Sequence, residues 1–160
     1  MELVETARLT PSAANRQPFK YRIVCDEEEN EKVFRLLGFA GYLKDWDGPS
    51  EGEKPTGYIV ITCPANVNDE VDAGIVGQTM LLAATEAGFG GWFFGNVKRD
   101  ELKTQLNIPS ELKIVYVIAF GYPKEEVVLE DIPADGDIKY YRDENQVHHV
   151  PKKRIEDIVL

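Results

Sequence analysis

Positive charge is what this sequence lacks most. Eighteen Lys and Arg stand against 28 Asp and Glu, a net charge of −10 at pH 7 with an isoelectric point near 4.7. Nucleic acid and anionic membranes are bound largely through Lys and Arg, so neither is an expected partner. Cysteine is scarce too. Cys25 and Cys63 lie far apart, and each closes an apolar strand-like run, YRIVC and YIVITC. No Cys and His pair shows zinc spacing, and buried, reduced thiols are the plain reading of both. No run of about 20 apolar residues is present to span a membrane. No signal-type apolar segment is seen either, so the expected location is cytoplasmic.

What is present is an ordinary globular composition, 43% hydrophobic and 29% charged. The length suits a single domain, 1–160, with a real core. MELVETARL puts Leu3, Val4, Ala7 and Leu9 on or near one face of an amphipathic helix. FKYRIVC alternates Phe19, Tyr21 and Ile23 against Lys20, Arg22 and Val24, the period of a half-buried strand. The acidic DEEENEK reads as a solvated helix start. Val33, Leu36, Leu37, Ala40 and Leu43 then recur at helical spacing. Residues 44–56 hold Gly and Pro without periodicity and form a loop; its Trp46 is either a core anchor or a lid over a pocket. YIVITC is a central strand.

Asn68 is the expected N-cap of a helix from Asp69 to Ala87, with Asp69, Glu70 and Asp72 complementing its dipole and Gly88 ending it. The helix is apolar nearly all round, which predicts burial. Gly74 and Gly77 inside it each cost about 1 kcal/mol relative to Ala. A close backbone neighbour is therefore expected, and a second copy of the same helix is the natural one. A short helix over KRDELKTQLNI and a strong strand over KIVYVIAFGYP follow. Helices covering a sheet, in an α+β or α/β arrangement, account for the alternation.

GFGGWFFG, from Gly88, has neither the Gly-Lys-Ser/Thr of a phosphate loop nor dinucleotide spacing, and a helix precedes it. It is either a helix cap with an edge strand, or backbone laid open to a flat ring, since glycine permits close approach. His148 and His149 are adjacent in an extended segment and point to opposite faces, a poor chelating pair, so no metal is expected. No Gly-x-Ser-x-Gly elbow is present, and Ser12 has no His and Asp partners in sequence context. The closing PKKR is either a solvated tail or a phosphate site. TPSAANRQPF, residues Thr10 to Phe19, crowds small and amide side chains between two prolines, more than a bare connection requires. Small and amide groups early, open backbone among aromatics and late cations together suit a flat, polar-edged ring with a phosphate tail. Flavin mononucleotide (FMN) is such a molecule.

In this order the segments resemble the nitroreductase family of FMN-dependent oxidoreductases, in its compact subgroup. ARLTPSAANRQPF is similar to that family's A-x-x-A-P-S-x-x-N-x-Q-P-W stretch, with Phe19 replacing the Trp. DAGIVGQTMLLAATEAGFGGWFFGNV resembles its central helix and Gly-rich turn, IAFGYP its next strand and turn, and VHHVPKKRIEDIV its closing basic tail. The resemblance implies an α+β, nitroreductase-like fold: a central, mostly antiparallel sheet flanked by helices, in a homodimer with shared flavin sites. It implies that Pro11, Ser12, Ala13 and Asn15 border FMN across the dimer interface, with Gln17 supporting the turn. Phe93, Phe94 and Gly95 would line the ring, a backbone N–H near Gly95 facing its reactive nitrogen, and Lys152 and Lys153 would lie near the phosphate. Members of the family begin with an Arg-Arg-Ser-x-Arg type phosphate motif that is not among these residues, so the resemblance leaves Lys152, Lys153 and Arg154 for that role.

The implied activity is FMN-dependent NAD(P)H oxidoreduction, a ping-pong hydride transfer to a nitroaromatic, quinone or similar electron-poor small molecule. The flavin, not a catalytic side chain, carries that chemistry. Reductive dehalogenation is a further reaction within the same resemblance. The alternative is a dimer of this fold with weak or no FMN binding that serves as a binding or regulatory module.

Overall fold

In the computed structural model, which describes residues 1–133 and 136–160, the chain divides into two units. One comprises Met1–Gly38 and Ser50–Pro123, the other Phe39–Pro49 and Lys124–Leu160.

The first unit runs α1 (Glu2–Arg8), a 3-10 turn (Ala13–Asn15), β1 (Lys20–Val24), α2 (Glu27–Phe34), β2 (Gly57–Pro64), α3 (Glu70–Glu86), β3 (Gly90–Phe94), α4 (Arg99–Gln105) and β4 (Leu112–Gly121). Its sheet has the order β1-β2-β4-β3, every pair antiparallel. The inner strands β2 and β4 are covered on both sides, which is why YIVITC is apolar at consecutive positions rather than alternate ones: Tyr58 to Cys63 are all buried. Ile59, Ile61, Ile118 and Phe120 pack with Ala7 of α1 and with Val76, Met80 and Ala84 of α3. α2 and α4 contact each other and β2 and β4, respectively. The β2–β4 register slips between Ile61 and Thr62, which pair with Tyr116 and Ile114 and leave Val115 extra. Arg99 takes up the carbonyls there, donating Nε to Ile114 at 3.2 Å and Nη2 to Val115 at 3.1 Å.

Several sequence expectations change. α2 is capped by Asp26, which accepts from the N–H groups of Glu28 and Glu29, but it stops at Phe34 instead of continuing to Leu43. The cause is tertiary: Leu37 bridges to Val97, and the Gly38 N–H donates to the Asn96 carbonyl at 2.8 Å. Cys63 is buried as expected, but Cys25 is exposed because it lies just beyond the end of edge strand β1. Leu9 is exposed, outside the packed face of α1. Asp69, not Asn68, is the N-cap of α3.

α3 is buried on one side only. Ala73, Val76, Gly77, Met80 and Ala84 face the sheet, while Val71, Ile75 and Leu82 stand 78%, 40% and 63% exposed on the opposite face. Its glycines part company. A Cβ on Gly77 would lie 2.3 Å from Cζ of Phe93, so the close neighbour there is an aromatic ring of the same chain, not a second helix; a Cβ on Gly74 would meet nothing within 4 Å. Gly88 ends the helix at φ 82°. Its N–H donates to the Thr85 carbonyl, and the Phe89 N–H donates to Ala84, the paired bonds of a Schellman turn.

The second unit holds β5 (Val127–Asp131), β6 (Tyr141–Arg142) and β7 (His148–Lys152), in the order β5-β7-β6, with β5 parallel and β6 antiparallel to β7. Trp46 is an anchor here. The Arg142 guanidinium lies 4.5 Å from its ring centroid and the Phe39 ring meets it edge-on, with centroids 6.0 Å apart. Among the described residues no helix is long and apolar enough to cross a membrane.

Candidate functional site

The stretch from Pro11 to Gln17 leaves α1 and has no strand or long helix of its own, so its backbone groups must find other partners. It folds into a tight loop in which Ala14, Asn15 and Gln17 have φ of 52°, 53° and 47°. The left-handed region costs an L-residue about 1–2 kcal/mol, less for Asn, so this loop needs holding. Its own side chains supply part of the hold. The Ser12 Oγ accepts from the Gln17 N–H at 3.0 Å, and the Gln17 Nε2 donates to the Asn15 Oδ1 at 2.9 Å and to the Asn15 carbonyl at 3.3 Å. The start of α3 supplies the rest: the Ala13 N–H donates to Asp72 Oδ2 at 2.8 Å, and Arg16 pairs with Asp69 at 2.6 Å. The Asp69 hydrogen bond, and then its charge, raise the Arg16 guanidinium above its ordinary value.

Pro11, Ala13, Asn15 and Gln17 are exposed and Ser12 is half-buried, so the loop presents its small surface outward. Gln17 holds the Asn15 side-chain oxygen Oδ1, which leaves the Nδ2 donor outside that bond. Ser12, already accepting through oxygen, keeps its own hydroxyl hydrogen to give. The loop is therefore rich in donors.

Among the described residues β3 is an edge strand, paired with β4. Phe93 is half-buried, its ring 5.4 Å edge-to-face from Tyr116 and against Gly77. Phe94 points the other way and is 3% exposed, so only its main chain is available to a ligand. Gly95 is exposed, and a Cβ there would meet nothing within 4 Å. α3 connects the two regions of this unit. It holds Ala13 through Asp72 and, five residues on, seats Phe93 against Gly77.

In the second unit Lys152 ends β7, and Lys152 and Lys153 are both exposed. Lys153 borders a shallow depression of about 710 Å³ with Ile132, Gly136, Arg154 and Asp157, none of them from the loop or β3. Arg154 is engaged by Asp157 at 3.1 Å. His148 and His149 each have a separate carboxylate, Glu125 at 3.0 Å and Glu130 at 3.1 Å. Among the described residues there is no group of three or more His, Cys, Asp or Glu that could hold a metal.

Asp72 is the residue sequence reasoning read too lightly. Its place in the first turn suits the helix dipole, yet it is buried and bonds a backbone amide 59 positions away. The available signal was a carboxylate set among Val71, Ala73 and Gly74 at the start of an otherwise apolar helix.

Comparison with known proteins agrees with this architecture. The Nitroreductase family model matches residues 55–122, from β2 through β4. A relative from Archaeoglobus fulgidus, named "Putative NADH dehydrogenase/NAD(P)H nitroreductase", is 28% identical over 136 residues, covering 78% of this chain and 72% of that protein. An iodotyrosine deiodinase from Thermotoga neapolitana is 26% identical over 140 residues, 76% of this chain and 75% of its own. Among solved structures, an FMN-dependent nitroreductase from Clostridium difficile R20291 superimposes with a TM-score of 0.65 at 22% identity, over 78% of this chain and 75% of that one. At that identity the likeness is one of fold. Family match, relatives and fold converge in supporting a nitroreductase-family assignment for this chain.

Proposed function

We propose that residues 1–160 form one nitroreductase-like domain acting, as a homodimer, as an FMN-dependent NAD(P)H oxidoreductase. The observation that carries this reading is the Pro11–Gln17 loop: exposed, small, and held in a costly backbone conformation by bonds to α3. Strain maintained by a surrounding network is a mark of functional segments. The donor set fits FMN. The Ser12 hydroxyl and Asn15 Nδ2 suit a ring edged with carbonyl oxygens and acceptor nitrogens, with Pro11 and Ala13 leaving room and Gln17 holding the turn. Gly95 is exposed with open space where a Cβ would stand, so its main chain would face the ring, with Phe93 and the Phe94 backbone as the wall beside it. Lys152 and Lys153 are exposed cations that would serve the phosphate, each such bond worth about 1.5–3 kcal/mol.

When bound, FMN would supply the redox chemistry, hydride transfer between NAD(P)H and an electron-poor acceptor in a ping-pong sequence. The chain's part is to bind, orient and exclude water. The exposed stripe Val71, Ile75 and Leu82 on α3 supports dimerisation, since an apolar helix face of this kind marks an interaction surface.

The test is an absorbance spectrum of the purified protein with and without added FMN, followed by NADH and NADPH oxidation with quinone and nitroaromatic acceptors. Bound flavin and acceptor-dependent oxidation are expected. Protein that stays colourless and takes up no FMN is instead the binding or regulatory form of this fold. The similarity to an iodotyrosine deiodinase makes a halogenated phenol a second acceptor to assay.

A further inference from the structure

We propose that Asp72 is a positioning residue for the flavin, acting through the Pro11–Gln17 loop without touching the cofactor; this rests on the FMN reading above. Three observations meet at this residue. Asp72 is 7% exposed, although an unpaired carboxylate is costly to bury. The partner shown for it is a backbone amide, the Ala13 N–H at 2.8 Å, in a segment with three left-handed residues, none of them glycine. That amide opens the turn in which Ser12 and Asn15 acquire their orientation: Asn15 N–H donates to the Ser12 carbonyl at 2.8 Å, and Gln17 N–H to the Ser12 hydroxyl at 3.0 Å.

Removing the carboxylate leaves the loop free to relax toward ordinary backbone angles, and its donors then point elsewhere. A hydrogen bond to a charged acceptor corresponds to about a 10- to 100-fold change in the population of the held form. A ligand that selects that form loses affinity by the same factor. Arg16 and Asp69 form a second tie, its guanidinium half-exposed and so partly screened, its carboxylate 8% exposed.

The experiment compares Asp72→Ala, Asp72→Asn and Ala13→Pro in the full chain, reading FMN affinity by flavin titration and loop order by amide hydrogen exchange at Asn15 and Gln17. Ala13→Pro removes the same bond from the other side. Proline suits the first position of a helical turn, and Ser12 before it is already extended at φ −137° and ψ 154°. Asp72→Ala and Ala13→Pro are expected to raise the Kd for FMN about 10- to 100-fold and to speed exchange at both amides, while β2 and β4 amides stay protected. Asp72→Asn keeps an acceptor oxygen and is expected to restore most of the affinity. Wild-type exchange and FMN affinity in both Asp72→Ala and Ala13→Pro would overturn the proposal. If Asp72→Ala does not fold, Ala13→Pro decides alone. If wild-type protein takes up no FMN, the oxidoreductase reading fails on its own, and the exchange data still score Asp72 as the holder of the loop or not.

Discussion

Replacing the two glycines of α3 by alanine, one at a time, should leave the Gly77 variant less stable than the Gly74 variant. Alanine gains about 1 kcal/mol over glycine in a helix interior, and that gain is common to both sites. What differs is the room. At Gly77 the new methyl would stand 2.3 and 2.4 Å from two carbons of the Phe93 ring and 3.0 Å from Ile118 Cδ1, while at Gly74 it meets nothing within 4 Å. Phe93 is boxed against Tyr116, so overpacking of about 1–3 kcal/mol is expected at Gly77. Because the helix-propensity gain cancels in the comparison, Gly77→Ala should be less stable than Gly74→Ala by that same margin. For a chain of this length, each kcal/mol shifts Tm by about 2–4 °C. Parallel urea unfolding followed by far-UV circular dichroism measures the difference, provided the slopes agree. Phe93→Leu in the Gly77→Ala background should recover part of the loss, since the two positions touch. A Gly77→Ala protein at least as stable as Gly74→Ala would show that this helix face does not sit on β3 as described.

Other outcomes can be checked directly. Ile75→Lys with Leu82→Lys, on the exposed face of α3, should convert a dimer to a folded monomer by light scattering; unchanged mass removes that face from the interface. Lys152→Ala with Lys153→Ala should weaken FMN binding by about 10²–10⁴-fold if both contact the phosphate, without moving Tm, because both side chains are exposed. A thiol reagent should titrate one cysteine per native chain and two after denaturation: Cys25 is exposed, whereas burial both shields Cys63 and raises its thiol pKa. The Val147 N–H, with the Asn145 N–H and His149, holds the Asp143 carboxyl below its ordinary value of 3.8. A carboxyl depressed in the folded state stabilises fully above its ordinary value, and the contribution is lost as pH falls from there through the lowered folded value. Asp143→Asn should therefore flatten the acid limb of the stability profile of the β6–β7 hairpin; an unaltered limb would rule out that contribution.

Much of the fold was legible because it follows from local chemistry. The period of FKYRIVC, the uninterrupted β-branched run of YIVITC, the acidic start of α2 and the Gly88 stop of α3 each act through backbone preference or burial within a few residues, and each is where the spacing puts it. Helix α2 shows the limit. Apolar spacing carries on past Phe34, but the Asn96 carbonyl and Val97 take the next backbone groups, and no local pattern encodes a partner 60 residues away. α3 shows another: an all-apolar sequence says that two faces need cover, not that the chain itself covers only one.

At the candidate site the division is sharper. Composition alone singles out the Pro11–Gln17 stretch as a candidate ligand-facing loop and leaves the GFGGWFFG segment as a helix cap with an edge strand or as open backbone, since small residues, amides and glycines leave atoms accessible wherever they fall. Only the tertiary structure decided that Ala14, Asn15 and Gln17 are left-handed, that Gly77 makes room for Phe93, and that a buried Asp72 holds Ala13. Those are relations between distant segments, set by how α3 packs on the sheet. The sequence by itself determined which groups could bind; their direction was settled when β-strands and helices closed around them.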